Sequence, residues 1–240
     1  MPLRLEFAAS TDIGLRRREN QDRQVTLPAL GLFAVADGMG GLPNGSDAAE
    51  VALAALTRAL HEAPPASAES WCQLVHAINR EVVLLGRRLS PRTGIGSTLT
   101  VLHAVGDHAT VAHVGDSAAF RWRAGTWAQL TTEHTVGARA RRRRAAGLLD
   151  EDEGESDHIL TSCIGTLPLE EIEILTTELR AGDRYLLCSD GITKPVPSDE
   201  LQQVLARAAS PQQAAAALIA QANQCGGPDN STAVVVFCRE

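Results

Sequence analysis

Residues 32–41 read LFAVADGMGG, an apolar run that ends at an aspartate and a cluster of glycines. The apolar residues 32–36 predict a buried β-strand, and the Asp-Gly pair that follows predicts a sharp turn. Three other aspartates lie beside a β-type run and small residues: Asp116 in VGDS, Asp190 in CSDG and Asp229 in GPDN. The chain therefore places an aspartate at the boundary of a β-type run four times.

Two interpretations of these aspartates are open from the residues alone. Asp-Gly is a strong hairpin signal, so Asp37-Gly38 and Asp190-Gly191 are each explained as turns without chemistry. The alternative is a shared metal site, because strand ends can meet at one sheet edge and carboxylate oxygens suit Mg²⁺ or Mn²⁺. Taken singly, each aspartate is better explained as a turn residue. VADGMGG has more glycine than a hairpin needs, and none of the four segments contains histidine, so the two interpretations are evenly balanced and both stay open.

The pattern of apolar residues predicts the elements around these aspartates. Strands are predicted at residues 5–9, 32–36, 97–104, 109–114, 118–122, 127–130, 172–175, 184–188 and 232–237. Helices are predicted from residue 46 or 47 to the prolines at 64 and 65, from 71 to 89, and from an N-cap at Ser210 to about residue 222. The four strands between 97 and 130 have the rhythm of an antiparallel meander, on which the helix at 71–89 is expected to pack. This order predicts antiparallel sheets with helices outside.

A polar stretch interrupts the pattern from about residue 133 to 157. It has five arginines between Arg139 and Arg144, followed by six acidic residues between Asp150 and Asp157. We interpret it as a surface insertion whose arginine run forms a solvated helix face. Docking of an acidic phosphopeptide is the alternative, and the acidic residues that follow could instead pair with the arginines.

The composition narrows the class of protein. With 240 residues, 44% of them hydrophobic, the chain can bury one substantial core, so one domain is expected. A formal net charge of −7 argues against nucleic acid or anionic lipid as a partner. Five scattered cysteines indicate reduced thiols, and no apolar run suits a signal peptide or a membrane span. We expect a cytoplasmic protein in which the seven histidines, which lack metal-ligand spacing, are structural or superficial.

Motifs spread over nearly the whole chain add a more specific signal: TDIGLRRRENQD (residues 11–22), VADGMGG (35–41), GSTLTVL (96–102), AHVGDS (112–117), LTTEH (130–134), LTSCIGT (160–166), LLCSDGIT (186–193) and GGPDNSTAVVV (226–236). In this order they resemble the motifs of the type-2C metal-dependent protein phosphatase family (PPM) in its bacterial form. The resemblance implies an α+β fold, a four-layer α-β-β-α sandwich of two antiparallel β-sheets flanked by helices. It also implies a single domain over residues 1–240, with a flap insertion at about 133–158.

The activity implied by the resemblance is that of a protein serine/threonine phosphatase, a phosphoric monoester hydrolase in which a hydroxide bridging two Mn²⁺ or Mg²⁺ ions attacks phosphoserine or phosphothreonine. Asp37 is then expected to bridge the two ions, with the Gly38 carbonyl helping to hold one of them. Asp190 and Asp229 are expected to hold the other ion. Asp116, together with Asp190, resembles the pair that binds a third, weaker ion in bacterial members.

Three further residues have roles implied by the same resemblance. Arg17 corresponds to the arginine that clamps the substrate phosphate, and its planar fork matches two phosphate oxygens. Asp22 corresponds to an acid beside the metal-bound waters, and Asn230 is expected to orient Asp229. Phosphorylated proteins are the implied partners, with a Ser/Thr kinase or its targets among them, and the expected state is a monomer.

Three positions depart from the family pattern. Leu42 stands where bacterial members commonly carry a histidine that could assist leaving-group protonation. Ala118 and Ser162 each replace a family arginine. These departures motivate an alternative function, a catalytically weak phosphoprotein-binding module. A phosphatase dedicated to one regulatory phosphoprotein is the other alternative.

Overall fold

The computed structural model of the chain describes residues 3–39, 44–148, 156 and 159–240. Within these ranges the strands are β1 (Arg4–Asp12), β2 (Asp22–Leu27), β3 (Leu32–Asp37), β4 (Leu99–Val105), β5 (His108–Val114), β6 (Ala118–Arg123), β7 (Thr126–Gln129), β8 (Glu173–Glu178), β9 (Arg184–Cys188) and β10 (Ser231–Arg239). The helices are α1 (Gly45–Glu62), α2 (Ala68–Leu89), α3 (Val136–Ala145), α4 (Asp190–Thr193), α5 (Ser198–Arg207) and α6 (Pro211–Gln224).

The strands form two five-stranded antiparallel sheets. Sheet I has the order β1-β10-β9-β6-β7, and sheet II has the order β2-β3-β4-β5-β8. Sheet I therefore places the last strand of the chain between the first strand and β9. Residues far apart in sequence become neighbours at the ends of these strands.

The alternation of β3 shows how the layers are stacked. Phe33 and Val35 point between the sheets, where they pack in one apolar cluster with residues of sheet I such as Leu187 and Val234. The intervening residues Leu32, Ala34 and Ala36 belong to a second cluster with α1 and α2. Because successive side chains of a strand point to opposite faces, the apolar run of β3 is buried on both sides.

The other outer layer repeats this arrangement. Ala233, Val235 and Phe237 of β10 pack with α5 and α6, whereas Val234 and Val236 face the centre. The layers are thus helices, sheet II, sheet I and helices, which confirms the predicted α+β four-layer sandwich.

The helix signals in the sequence are confirmed where they were strongest. Helix α2 begins after a capping box between Ser67 and Ser70. Helix α6 begins after Ser210, whose side chain accepts a hydrogen bond from the Gln213 backbone N–H, with a proline in its first turn. These caps satisfy backbone donors that a helix start leaves unpaired.

The predicted meander is wrong. β4 and β5 pair in sheet II, but β6 and β7 belong to sheet I, where β6 pairs with β9. The three-residue link of Gly115, Asp116 and Ser117 crosses from one sheet to the other. Gly115 makes the crossing with φ +111°, a conformation that side chains with a Cβ rarely adopt. Helix α2 accordingly shares its apolar cluster with residues of β4 and β5 but not with β6 or β7.

Other elements were missed or misassigned. The sequence pattern did not predict β2 or α5, and Asp190-Gly191 opens the short helix α4 instead of a hairpin turn. The polar insertion contains α3, whose arginines pair with Glu133, Glu170 and Glu171. The acidic residues between 150 and 157, which were considered as partners of the arginines, lie outside the described residues.

Across the described part of the chain, none of the helices combines the length and the apolar character that a membrane crossing requires.

Leu56→Ala is expected to lower the free energy of unfolding by about 2–5 kcal/mol, because Leu56 of α1 is fully buried against sheet II and its truncation leaves a cavity. Urea denaturation measures this loss. Leu84→Ala on α2 is the matched control, since Leu84 is 58% exposed, and it should change the free energy by no more than about 0.5 kcal/mol. Equal losses in the two variants would contradict this packing.

Candidate active site

The four aspartates at strand boundaries meet at one edge of the sandwich. Asp37 ends β3 beside the start of β4, where Thr98 accepts a hydrogen bond from the Asp37 N–H through its Oγ1 (2.9 Å). Asp116 lies in the crossing between β5 and β6. Asp190 follows β9, and Asp229 precedes β10, the strand that pairs with β9. Strand pairing within each sheet and the packing of the two sheets on each other therefore bring together Asp37 and Asp229, which are nearly two hundred positions apart.

A cavity of about 210 Å³ opens at this edge. The aspartates and two cationic side chains line it together with neighbouring residues: Arg17, Gln21, Asp37, Gly38, Met39, Thr98, Asp116, Leu160, Asp190, Lys194, Asp229 and Asn230. The structure thus brings together six of the seven predicted site residues in one cavity wall.

The seventh predicted residue, Asp22, lies directly behind the wall. It is the cross-strand partner of Asp37 in the β2–β3 pair and is 3% exposed. Its Oδ2 accepts a hydrogen bond from Ser189 Oγ (2.7 Å), whereas its buried Oδ1 has no hydrogen-bond partner among the described residues. An unpartnered buried carboxylate oxygen is costly and marks a place where a proton or a cation is expected.

The carboxylates raise one another's proton affinity. Burial raises the pKa of Asp37 well above its ordinary value, and the charges of its neighbours raise it further: Asp22, Asp190, Asp116 and Asp229. Burial also raises the pKa of Asp22 to about 6, against the opposing hydrogen bond from Ser189. The site therefore carries more negative charge than its own side chains balance.

Asp116 and Asp190 share a cation from the chain itself. Lys194 Nζ donates to Asp116 Oδ2 at 3.3 Å and also to Asp190 Oδ2. Burial raises the pKa of Asp116 to about 6 and the charge of Asp190 adds to the effect, whereas Lys194 opposes it.

Arg17 and Asp229 form a second ion pair in the cavity wall. Arg17 Nη2 donates to Asp229 Oδ2 at 2.6 Å, and the other oxygen, Oδ1, accepts from the backbone N–H of Asn230 at 2.8 Å. The Asn230 side chain instead donates to the carbonyls of Ile13 and Glu19 (2.9 Å each). Asn230 thus fixes Asp229 through its backbone and uses its side chain to hold the loop that carries Arg17.

The loops around the cavity pack backbone against backbone. A Cβ on Gly38 would lie 2.3 Å from the Gly45 carbonyl oxygen, and a Cβ on Gly191 would lie 1.9 Å from the Asn230 carbonyl oxygen. Only glycine fits these two positions, and each of them directly follows a site aspartate. The two Asp-Gly pairs therefore place a carboxylate where another loop approaches closely.

A different cluster joins the base of the polar insertion to sheet II. Within the described residues, His113, His134 and Glu173 are the only group of three or more potential metal-binding side chains whose ligand atoms all lie within 4.8 Å of one another. Their polar atoms are used in hydrogen bonds: His113 Nε2 lies 3.0 Å from the Gly115 carbonyl oxygen, and Glu173 Oε2 accepts from the Thr132 N–H at 2.7 Å. These contacts support the structural role expected of the histidines.

Of the three positions that depart from the family pattern, Ala118 and Ser162 do not line the cavity. Leu42 falls outside the described residues. Ala118 begins β6 and is buried in the helix-side core, and Ser162 Oγ donates to the Glu171 carbonyl at 2.9 Å.

The sequence interpretation missed Lys194 and Thr98 as site residues. A signal for Lys194 was present, because it is the only lysine in the chain and lies four residues after Asp190. Thr98 lies within a strand pattern and gave no comparable signal.

Comparisons with known proteins agree with this geometry. The family model "Protein phosphatase 2C" matches residues 16–224. The serine/threonine protein phosphatase PstP of Mycobacterium tuberculosis is 32% identical over 234 residues, which cover 96% of this chain but only 44% of PstP, so the chain spans less than half the length of that relative. Protein phosphatase PhpP of Streptococcus pneumoniae is 30% identical over 246 residues, which cover 98% of each protein.

Solved structures extend the match to the fold. The crystal structure of the PstP catalytic domain in complex with two manganese ions has a TM-score of 0.85 to this chain at 31% identity, with 100% of both chains covered. The Streptococcus agalactiae serine/threonine phosphatase has a TM-score of 0.83 at 30% identity, with 99% of this chain and 100% of that chain covered. The motifs, the two sheets and these similarities together show that the chain belongs to the protein phosphatase 2C family.

Proposed function

We propose that this chain is a Mn²⁺- or Mg²⁺-dependent protein serine/threonine phosphatase, which hydrolyses phosphoserine and phosphothreonine in proteins. The observation that carries the proposal is the convergence of carboxylates from four chain positions on one cavity beside Arg17. The relatives PstP of Mycobacterium tuberculosis and Stp of Listeria innocua are serine/threonine phosphatases, which supports the same activity.

The donor set fits divalent cations. Asp37, Asp190 and Asp229 offer carboxylate oxygens and Gly38 offers a carbonyl, the hard ligands that Mg²⁺ and Mn²⁺ prefer. The mutual repulsion of these carboxylates and the unpartnered Oδ1 of Asp22 indicate that the site lacks positive charge. We propose that these residues would hold two ions: Asp37 would contribute to both, Gly38 to one, and Asp190 and Asp229 to the other.

Bound divalent cations supply a water acidic enough to act as a nucleophile near neutral pH, and they neutralise charge on the phosphoryl group. The chain's own residues position the substrate. A guanidinium has five N–H donors, so Arg17 can keep its bond to Asp229 and still bind two phosphate oxygens. Asp22, buried behind Asp37 with a pKa raised by burial to about 6, is placed to hold a proton at Oδ1.

We further propose that residues 1–240 form one phosphatase domain in which 133–158 is a flap. The support is that Leu160, bridged to Thr135 at the base of the insertion, lines the cavity. We also propose that the protein is a monomer. We propose a cytoplasmic location, which the five free cysteines support. A Ser/Thr kinase or its targets would then supply the phosphoprotein substrate.

Asp37→Asn is expected to lower the Mn²⁺-dependent hydrolysis of p-nitrophenyl phosphate and of a phosphothreonine peptide by at least about 100-fold, because losing even an outer partner of a metal ligand costs about 10–100-fold. Asp107→Asn, at the exposed β4–β5 turn, is the control and should retain activity. A chelator should abolish the wild-type rate. Folded wild-type protein that binds the phosphopeptide but does not turn it over would support the binding module instead.

Arg17→Ala is expected to lower kcat/KM by about 100-fold, the scale on which one preorganised donor to a transition-state oxyanion contributes. Arg18→Ala is the matched control, because Arg18 is an exposed neighbour that does not line the cavity, and it should stay within about 3-fold of wild type. The phosphothreonine peptide is the substrate for both assays. Equal losses of kcat/KM in the two variants would show that Arg17 contributes only general positive charge and does not bind the phosphate.

Asp37→Asn is also expected to raise the melting temperature of the metal-free protein in EDTA. The pKa of Asp37 is higher in the folded state than in the unfolded state. The metal-free wild type therefore loses stability as the pH rises from the unfolded-state pKa through the folded-state pKa. Asparagine avoids this loss. The difference in melting temperature between Asp37→Asn and wild type should therefore grow from about pH 5 to about pH 8. At about pH 8 it should reach at least about 2 °C, which is the shift that about 1 kcal/mol produces in a domain of this size. A destabilised variant at both pH values would show that the carboxylates do not repel one another.

A further inference from the structure

The chain has 22 Lys and Arg residues, and 21 of them are arginines. Lys194 is the only lysine. It follows α4, its backbone N–H donates to the Asp190 carbonyl (2.9 Å), and its side chain turns back toward the cavity. The one compact ammonium that the chain possesses is therefore located in the candidate active site.

The position of the ammonium is defined by two carboxylates. Lys194 Nζ donates to Asp116 Oδ2 at 3.3 Å and to Asp190 Oδ2. The side chains of Asp116 and Asp190 are only 10% and 13% exposed. Asp116 lies in the link between β5 of sheet II and β6 of sheet I, whereas Asp190 follows β9 of sheet I, and the ammonium joins these two chain segments.

The chemistry of the two basic side chains explains why a lysine is used here. A guanidinium is planar and suits the side-by-side oxygens of one carboxylate or phosphate, whereas an ammonium is a compact point charge with donors in several directions. A point charge between oxygens of two separate carboxylates occupies the kind of position that a metal ion takes. The family resemblance assigns this same pair, Asp116 and Asp190, to a third metal ion.

We propose that Lys194 Nζ is a built-in cation that replaces the third divalent ion at Asp116 and Asp190, so that this chain binds two metal ions and not three. The proposal rests on the proposed metal-dependent function. Asp190 engages Lys194 through Oδ2, which leaves Oδ1 for an ion in the cavity. Asp116 is then a positioning residue that holds the ammonium.

Metal stoichiometry tests this directly. Chains stripped with EDTA are dialysed against increasing MnCl₂ up to millimolar concentration, and bound manganese is measured by elemental analysis. Wild type is expected to bind two ions per chain. Lys194→Met, which keeps the length of the side chain but removes its charge, is expected to bind a third ion, and Lys194→Arg, which keeps the charge, is expected to bind two.

Two further measurements do not depend on activity. Asp116→Asn is expected to leave the stoichiometry at two, because Asp116 holds the ammonium and not an ion, and this variant keeps the test available should Lys194→Met fail to fold. Lys194→Met is also expected to melt at a lower temperature than wild type in EDTA, with the deficit largely removed by Mn²⁺.

Three ions in wild type, or two in Lys194→Met, would overturn the assignment while leaving the two-ion phosphatase intact. Two ions in every variant together with a raised KM for the phosphothreonine peptide in Lys194→Met would make Lys194 a substrate contact, which also overturns it. Absence of manganese binding in all the chains would instead overturn the proposed metal-dependent function itself.

Discussion

Negative charge concentrated at one edge of the sandwich is the constraint on which the rest of the site depends. Burial and mutual repulsion raise the proton affinity of Asp37, Asp22 and Asp116, and the two cations in the cavity wall, Arg17 and Lys194, offset only part of the charge. Uncompensated buried charge destabilises the folded state, so carboxylates that are held this close together require a cation to balance them. Under the proposed function, divalent cations would provide that compensation, and their positive charge would also attract a phosphate.

The sandwich supplies the rigidity that this concentration of charge requires. Asp37 and Asp22 are opposed across one strand pair, and β9 and β10 hold Asp190 near Asp229 from the other sheet. The crossing from β5 to β6 brings Asp116 to the same edge, so the feature that breaks the expected meander is also the feature that completes the site. Close backbone approach at Gly38 and Gly191 leaves these aspartates little freedom to move apart.

Much of this was predictable because strong local patterns and global structure agree. The apolar run of β3, the apolar stripe of α2 and the N-cap of α6 were visible in the sequence, and the motif order placed Arg17, Asp37 and the later aspartates in one family pattern. The switch of β6 to the other sheet was not predictable, since strand periodicity records which face is apolar and not which sheet a strand joins. The ion pair of Lys194 with Asp116 could not be predicted either, because the two residues are 78 positions apart and meet only through sheet pairing.

The most direct measurement of the central claim is anomalous diffraction from crystals of the chain grown with MnCl₂. Two manganese peaks are expected in the cavity, with Asp37 contacting both and with Asp190 and Asp229 contacting one of them. Well-ordered crystals that show no anomalous peak between these three side chains at millimolar manganese would contradict it.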